Sequence, residues 1–392
     1  MAVYKIFPTQ DTTLYSSYPL MNTGLDAICE VSNTFDVGGN PTVSRYIIQF
    51  DNDEIKDIVN KIGDNQYDIF LRNFIATAQG ISLDTSIEIR PLAQQWNNGT
   101  GYYLNSPQTQ DGASWRYPLH SSSIDWTANG SYNGFPFTSS YNPTYAGPGG
   151  GNWFYDNDNL FYVVYNYTNP SYTSGGDLNL PKSQSFGLRS NKDIIVNVNS
   201  IIDVWSNDTI PNNGFIVKLA DEFEFNPNPS VQPILKYYSV DTNTIYPPQL
   251  EFRWRDYSST LTSSSSIVTT TDLKMSLAEN PGTFFPDSVN RFYINVSPLY
   301  PTRVYQTSSL FVNLNYLPTS SYYAIKDLAT NEFIINFDEQ YTQISANDKG
   351  NYFDVYMSGL EPERYYKVLI KTIINGSTLI FDDDYYFKVI NG

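Results

Sequence analysis

The sequence predicts an all-β protein of two β-sandwiches, the first interrupted by a long loop insertion, and three observations lead there. Aromatic residues make up 16% of the 392 residues, with Tyr 33, Phe 23 and Trp 6, and such side chains suit a pleated, half-buried surface. Charged residues are also 16%, below the ~25% of an average soluble domain, and the composition of long helices is missing. Short runs of two-residue period recur between Gly, Pro, Asn and Ser punctuation.

The elements follow in order. Ala2 to Phe7 alternates, and Ser44 to Phe50 (SRYIIQF) is dense enough for a central strand. Between Asp53 and Ile62, the spacing of Ile55, Ile58, Val59 and Ile62 predicts one short amphipathic helix, closed by Gly63. Tyr67 to Ala76 and Ser86 to Leu92 return to a two-residue period. From about 120 to 180 the chain turns to Gly, Pro, Asn, Ser and Tyr, with only Leu160 to Tyr165 apolar. That segment reads as a loop excursion packed by its own aromatics. Strands resume at Asp193 to Val198, Gly214 to Leu219 and Gln249 to Trp254, closing a first domain over 1–254.

A Ser/Thr-rich linker over 255–271 precedes a second domain over 272–392. Its strand candidates are Phe292 to Val296, Val304 to Thr307, Tyr322 to Asp327, Glu332 to Phe337, Tyr352 to Met357, Tyr365 to Thr372 and Thr378 to Val389. Asn375-Gly376 between two alternating runs predicts a two-residue hairpin, because both turn positions need positive φ.

With 23 Lys+Arg against 40 Asp+Glu, the net charge is -17. A phosphate backbone would be repelled, so nucleic acid is excluded as a general partner. The N-terminus MAVYKIFPTQDTT has no apolar run of signal-peptide or anchor length, so maturation without secretion and no membrane insertion are expected.

Chemistry-bearing residues are sparse. Cys29 sits in the strand-like DAICEV and His120 in the Ser-rich LHSSS loop, neither with a sequence partner, and both read as structural. No catalytic residue, cofactor or metal site is assigned. Asp382-Asp383-Asp384 and Asp156-Asn157-Asp158-Asn159 offer the hard oxygens calcium takes. However, the second lacks the Gly and Glu of a calcium-binding EF-hand loop, and charges near a hairpin also discourage edge pairing. Paired carboxylates could hydrolyse a glycosidic bond only at a set separation. Trp205 and Trp254 lie in apolar patterns and read as core. Trp126 and Trp153 lie in the excursion among Tyr141, Tyr145, Tyr155 and Tyr172, where exposed rings would serve a protein contact, or stack on a glycan, or pack on themselves. The absence of Lys between Trp96 and Leu180 favours the protein contact.

Several of these residues carry resemblances. Asp11-Thr12-Thr13-Leu14, Arg45 with Phe50 and Asp51, IEIRPLAQQW ending at Trp96, Val204-Trp205, Gly214-Phe215 and Pro247-Pro248-Gln249-Leu250 follow one another as in the DNRLRE family of β-sandwich domains. The match covers most of 1–254 and implies a jelly-roll-like sandwich with structural roles for Arg45 and Asp51; the excursion after Trp115 departs from it. GLEPERYYKVLIKT, through Leu360, Pro362 and Tyr366, resembles the tyrosine corner of fibronectin type III and immunoglobulin-like modules. As a whole the chain resembles virion structural proteins of tailed phages, marine myophages in particular. That resemblance implies a non-enzymatic neck, collar, tail or capsid-exterior subunit, made in the host cytoplasm and assembled as a symmetric homo-oligomer with other virion proteins. A glycan-binding adhesin that attaches to host surface polysaccharide is the alternative, and a carbohydrate-active enzyme a third.

Overall fold

The computed structural model describes residues 2–391 except 64, 83, 140–148, 156–162, 165–172, 175–181, 225, 227, 229, 231, 263–264, 279–280 and 301–313. It is nearly all β, as composition and periodicity predict. The chain divides into two compact units. One is Ile6–Asp64 with Ile69–Glu251, and the other is Met1–Lys5 with Asn65–Asp68 and Phe252–Gly392.

The strands up to the excursion are β1 (Ala2–Ile6), β2 (Pro8–Tyr15), β3 (Ile28–Phe35), β4 (Pro41–Phe50), β5 (Tyr67–Asn73), β6 (Ile75–Gln79) and β7 (Thr85–Pro91), with helix α1 (Asn52–Ile62) after β4. Within the excursion lie β8 (Asn129–Tyr132), β9 (Phe135–Thr138), β10 (Trp153–Phe154) and the short pair β11 (Val163–Val164) and β12 (Thr173–Ser174). Then come β13 (Lys182–Phe186), β14 (Ile194–Asn197), α2 (Asn199–Ser206), β15 (Phe215–Leu219), α3 (Asp221–Glu224), β16 (Ile234–Tyr238) and β17 (Gln249–Trp254).

An eight-stranded antiparallel sheet runs β13-β7-β15-β4-β3-β16-β6, with β2 also on β4. One edge of β4 is forked: β3 pairs with Pro41 to Ser44 and β2 with Ser44 to Phe50. A four-stranded sheet runs β1-β17-β5-β14. The single strand expected over Tyr67 to Ala76 is two strands in different sheets, β5 on β14 and β6 on β16. The chain changes sheet at Phe74, which a two-residue period cannot reveal because alternation continues through the switch.

Helix α1 forms where its spacing predicts. Asp51 is its N-cap, its carboxylate accepting from the Asp53 and Glu54 amides at 2.9 Å each, which satisfies donors the first turn leaves open. Gly63 at φ 57 ends it. Ile55, Ile58 and Ile62 face inward.

The C-terminal unit adds β18 (Ser266–Ile267), β19 (Leu273–Ala278), β20 (Thr283–Phe284), β21 (Val289–Pro298), β22 (Asn315–Tyr316), β23 (Ser321–Asp327), β24 (Phe333–Ile335), β25 (Ser345–Asn347), β26 (Gly350–Tyr356), β27 (Tyr365–Ile374) and β28 (Ser377–Val389). Sheets β19-β21-β26-β25 and β20-β28-β27-β23-β24 form an immunoglobulin-like sandwich. Its core includes Phe292, Phe353, Tyr323, Val368 and Phe387, with Phe353 stacked on both Phe292 and Tyr323. The Tyr366 hydroxyl donates to the Glu361 carbonyl at 3.0 Å, the geometry of a tyrosine corner. Leu360 is buried beside it, and Pro362 is exposed. Asn375 (φ 50) and Gly376 (φ 80) make the expected two-residue turn. Part of the Ser/Thr tract is stitched to this unit: Thr260 donates its amide to Ala346, and β18 pairs in parallel with β22. The Val304 to Thr307 strand candidate and the Asp156 to Asn159 run lie outside the described residues, as does Leu160 to Tyr165 apart from β11.

Candidate functional site

Strand β4 is buried on both faces. Its Val43 and Ile47, with Leu14 and Ile216, present an apolar surface that water would otherwise cover, and the excursion supplies the lid. Trp96, Trp115, Trp126 and Trp153 join those residues in one buried cluster. This corrects the expectation of exposed rings at Trp126 and Trp153, which are 4% and 2% exposed. In a segment otherwise Gly-, Asn- and Ser-rich, the Trp rings bury the most apolar area, so they are drawn to the sheet. Two of their polar ends are satisfied by carbonyls: Trp126 Nε1 donates to Ser114 at 3.0 Å and Trp96 Nε1 to Asn213 at 2.9 Å.

Arg45 lies within this cover, fully buried. Its Nε and Nη2 donate to the two carboxylate oxygens of Glu224 at 2.6 and 2.9 Å, and its Nη1 donates to the Gly150 carbonyl at 2.7 Å. The guanidinium carbon stands 5.1 Å from the Trp115 ring centre and 5.0 Å from that of Trp153, so the planar cation lies against two π-systems. Lys218, also buried, donates to Leu219 O at 2.9 Å and Asp221 Oδ1 at 2.6 Å, and lies 3.4 Å from Glu224. It is 5.5 Å from Trp153. Gly150, at φ +83, must be glycine here, since a Cβ would fall 2.7 Å from the Trp115 ring and 2.8 Å from Arg45 Nη1. Two buried cations and a buried carboxylate thus clamp the excursion to the sheet. With both charges paired and water excluded, the arrangement is suited to rigidity rather than to group transfer. Asp51, the other residue drawn from the family resemblance, is the helix cap and lies apart from this centre.

The opposite face of the same strands carries Asp11, 1% exposed, accepting the Val240 amide at 2.7 Å. Burial, opposed by that hydrogen bond, pushes its carboxyl up to about 7. Cys29 is buried nearby in β3; burial, then the Asp11 and Asp26 charges, holds its thiol well above the ordinary value, which suppresses the nucleophilic thiolate. His120 starts a three-residue 3₁₀ turn and meets Tyr117 edge-on.

Accessible aromatic surface in this unit lies at Tyr132 and Tyr155 within the excursion and at a ledge outside it. Tyr102, Tyr103 and Leu104 are 46%, 45% and 52% exposed, on a loop fixed from behind. Buried Asn22 accepts the Gly101 amide and donates to the Asn98 and Ala113 carbonyls, and Asp26 accepts the Tyr103 amide at 3.0 Å. The Tyr103 ring leans on Tyr15 at 4.9 Å and Tyr18 at 6.3 Å. Glu30 and Lys236, paired at 3.2 Å, lie close to this ledge, and the Glu30 and Asp26 charges help raise the Tyr103 hydroxyl after burial. Of the contact candidates read from the sequence, Tyr155 is exposed, and Tyr141, Tyr145 and Tyr172 lie outside the described residues. Sequence reasoning did not single out Glu224, Lys218, Tyr102 or Tyr103. A lysine in the middle of the apolar run GFIVKL was the one available signal for a buried counter-charge.

No helix among the described residues is long and apolar enough to cross a membrane. A scan against protein-family models finds no match to this chain, and a search of curated proteins finds no significant one.

Proposed function

We propose that this chain is a non-enzymatic structural subunit of a tailed-phage particle, on the neck or collar, the tail or the capsid exterior, made in the host cytoplasm and assembled through neutral aromatic surface. The observation that carries this reading is the Tyr102–Leu104 ledge. Three large, uncharged side chains stand in water on a loop whose backbone is fixed by Asn22 and Asp26. Such preformed surface loses little entropy on docking, and Tyr is favoured at contact cores. The buried Arg45–Glu224 centre supports the same reading, because it stiffens the scaffold that presents the loops.

Mass spectrometry of purified particles tests it, and absence of the protein from them ends it. In particles that contain the chain, Tyr102→Ser with Tyr103→Ser is expected to lower incorporation while shifting stability by no more than ~0.5 kcal/mol, as exposed substitutions do. Incorporation equal to wild type would move the contact away from the ledge.

One observation favours a glycan-binding adhesin as second reading: the half-exposed Tyr103 ring has Asp26, Glu30 and Lys236 nearby, a platform with polar groups beside it. A glycan array with Tyr103→Ala as control separates the two, and an array on which the intact protein binds nothing removes the adhesin.

A further inference from the structure

Asparagine precedes glycine at Asn98, Asn129, Asn133, Asn213, Asn375 and Asn391, and the last of these pairs runs outside the described residues. The pairing carries a chemistry of its own. The glycine backbone nitrogen can attack Cγ of the preceding side chain, because glycine has no Cβ to obstruct the approach. An N–Cγ bond forms, the Cγ–Nδ2 bond breaks, and Nδ2 leaves as ammonia with the proton of the glycine amide. Water then opens the cyclic imide at either carbonyl, to aspartate or to isoaspartate, whose main chain is longer by a methylene. The reaction needs an accessible carboxamide, a glycine nitrogen that no acceptor holds, and a backbone free to bring the two together.

The fold withholds these conditions from three of the described pairs. Asn98 donates its side-chain amide to the Gly24 carbonyl at 2.6 Å and its backbone amide to Gln10 at 3.1 Å. Gly99 is packed so closely on Asn22 that a Cβ would stand 2.5 Å from it. Asn213 is buried, its carbonyl accepts from Trp96, and the Gly214 amide donates to Asn212 Oδ1 at 3.0 Å. Asn129 is exposed, but it begins β8. Ser139 donates its amide to the Ala128 carbonyl, which makes Gly130 and Phe137 the next hydrogen-bonded pair of the ladder. The Gly130 nitrogen is therefore held, with the Phe137 ring against it.

Asn133-Gly134 and Asn375-Gly376 remain. Each is the exposed two-residue tip of a hairpin, β8 to β9 and β27 to β28, and among the described residues neither glycine amide has an acceptor. Exposed tips open at low cost, and opening lets the glycine nitrogen swing toward Cγ. We infer that Asn133 and Asn375 are sites of spontaneous self-modification, each converting to aspartate or isoaspartate in the folded chain. The side chains that react are also pins. Asn133 Nδ2 donates to the Thr209 carbonyl at 3.3 Å, and Asn375 Nδ2 to the Thr269 carbonyl at 3.0 Å. A carboxylate cannot donate and is repelled by a carbonyl oxygen, so each event frees its tip from the segment behind it. Isoaspartate also lengthens a turn whose length sets the strand register.

Peptide mapping by mass spectrometry of the purified full chain, held warm in mildly alkaline buffer, tests the inference, with fragmentation to locate each site. Asn133 and Asn375 are expected to gain the mass difference between a hydroxyl and an amino group, as aspartate and isoaspartate together. Asn98, Asn129 and Asn213 are expected to react slower by about tenfold or more, because a hydrogen bond that must break first costs about that factor. In the urea-unfolded chain all of these sites are expected to react alike, so that the difference belongs to the fold. Asn133→Asp and Asn375→Asp are expected to speed deuterium exchange at 131–136 and 374–378 respectively. Equal rates at all sites in the folded chain, or Asn133 and Asn375 unchanged while the unfolded chain reacts at both, would overturn the self-modification. Exchange as slow as wild type in both Asp variants would overturn the release of the tips.

Discussion

Arg45 is held by a carboxylate, a carbonyl and two indole rings at once, so removing it leaves Glu224 in a dry interior with only the 3.4 Å contact to Lys218. Arg45→Met is expected to cost about 3–5 kcal/mol, the usual penalty for breaking a buried pair from one side, read from chemical denaturation. Arg45→Lys should not restore it, because a point ammonium cannot make the two-pronged contact. Asp11 acts in the opposite sense. Its carboxyl is raised from 3.8 to about 7 in the folded chain, so below pH 3.8 it is protonated in both states. As pH rises from there to about 7, the unfolded chain ionises first and stability is lost. Asp11→Asn keeps an acceptor for the Val240 amide and removes the charge. It is expected to flatten the pH dependence of stability across that window and to exceed wild type at pH 8; equal melting curves at pH 8 would refute this.

At the scale of elements, α1 was legible in its face and its end: apolar spacing gave the one and Gly63 the other, whereas Asp51 was not read as its cap. Asp51→Ala is expected to cost about 1 kcal/mol in a thermal melt. The same reading missed α2, although Ile201, Ile202, Val204 and Trp205 are buried along one stripe, because eight residues offer too few turns for periodicity to stand out. Asn-Gly marked the turn at Asn375 but not the one at Asn133-Gly134, which joins β8 to β9 with the same positive φ values. There the first strand is the short NGSY and the second, FPFT, contains Pro136, so the turn signal lacked its alternating apolar context. For the site, the sequence showed the aromatics of the excursion but not their direction. Whether a Trp covers a sheet or faces water depends on distant apolar residues, here Val43 and Ile47, that only the fold brings beneath it. Arg45 and Trp153 are 108 positions apart in the chain, and no local pattern links them.

Across the whole molecule, acidic residues are spread evenly and basic ones are not: residues 6–64 and 69–251 hold 24 acidic and 11 basic residues, and the shorter remainder 16 and 12. The forked edge of β4 has a consequence of its own. Its amides and carbonyls are taken by β15 on one side and by β2 and β3 on the other, and nearly all its side chains are buried. No local opening can therefore free Tyr46 to Ile48 without separating three strands. In deuterium exchange these amides are expected to be the slowest in the first unit and to exchange only with its global unfolding. Their protection would then measure the unit's full free energy of unfolding, and exchange there as fast as in β8 would show that the fork opens by itself.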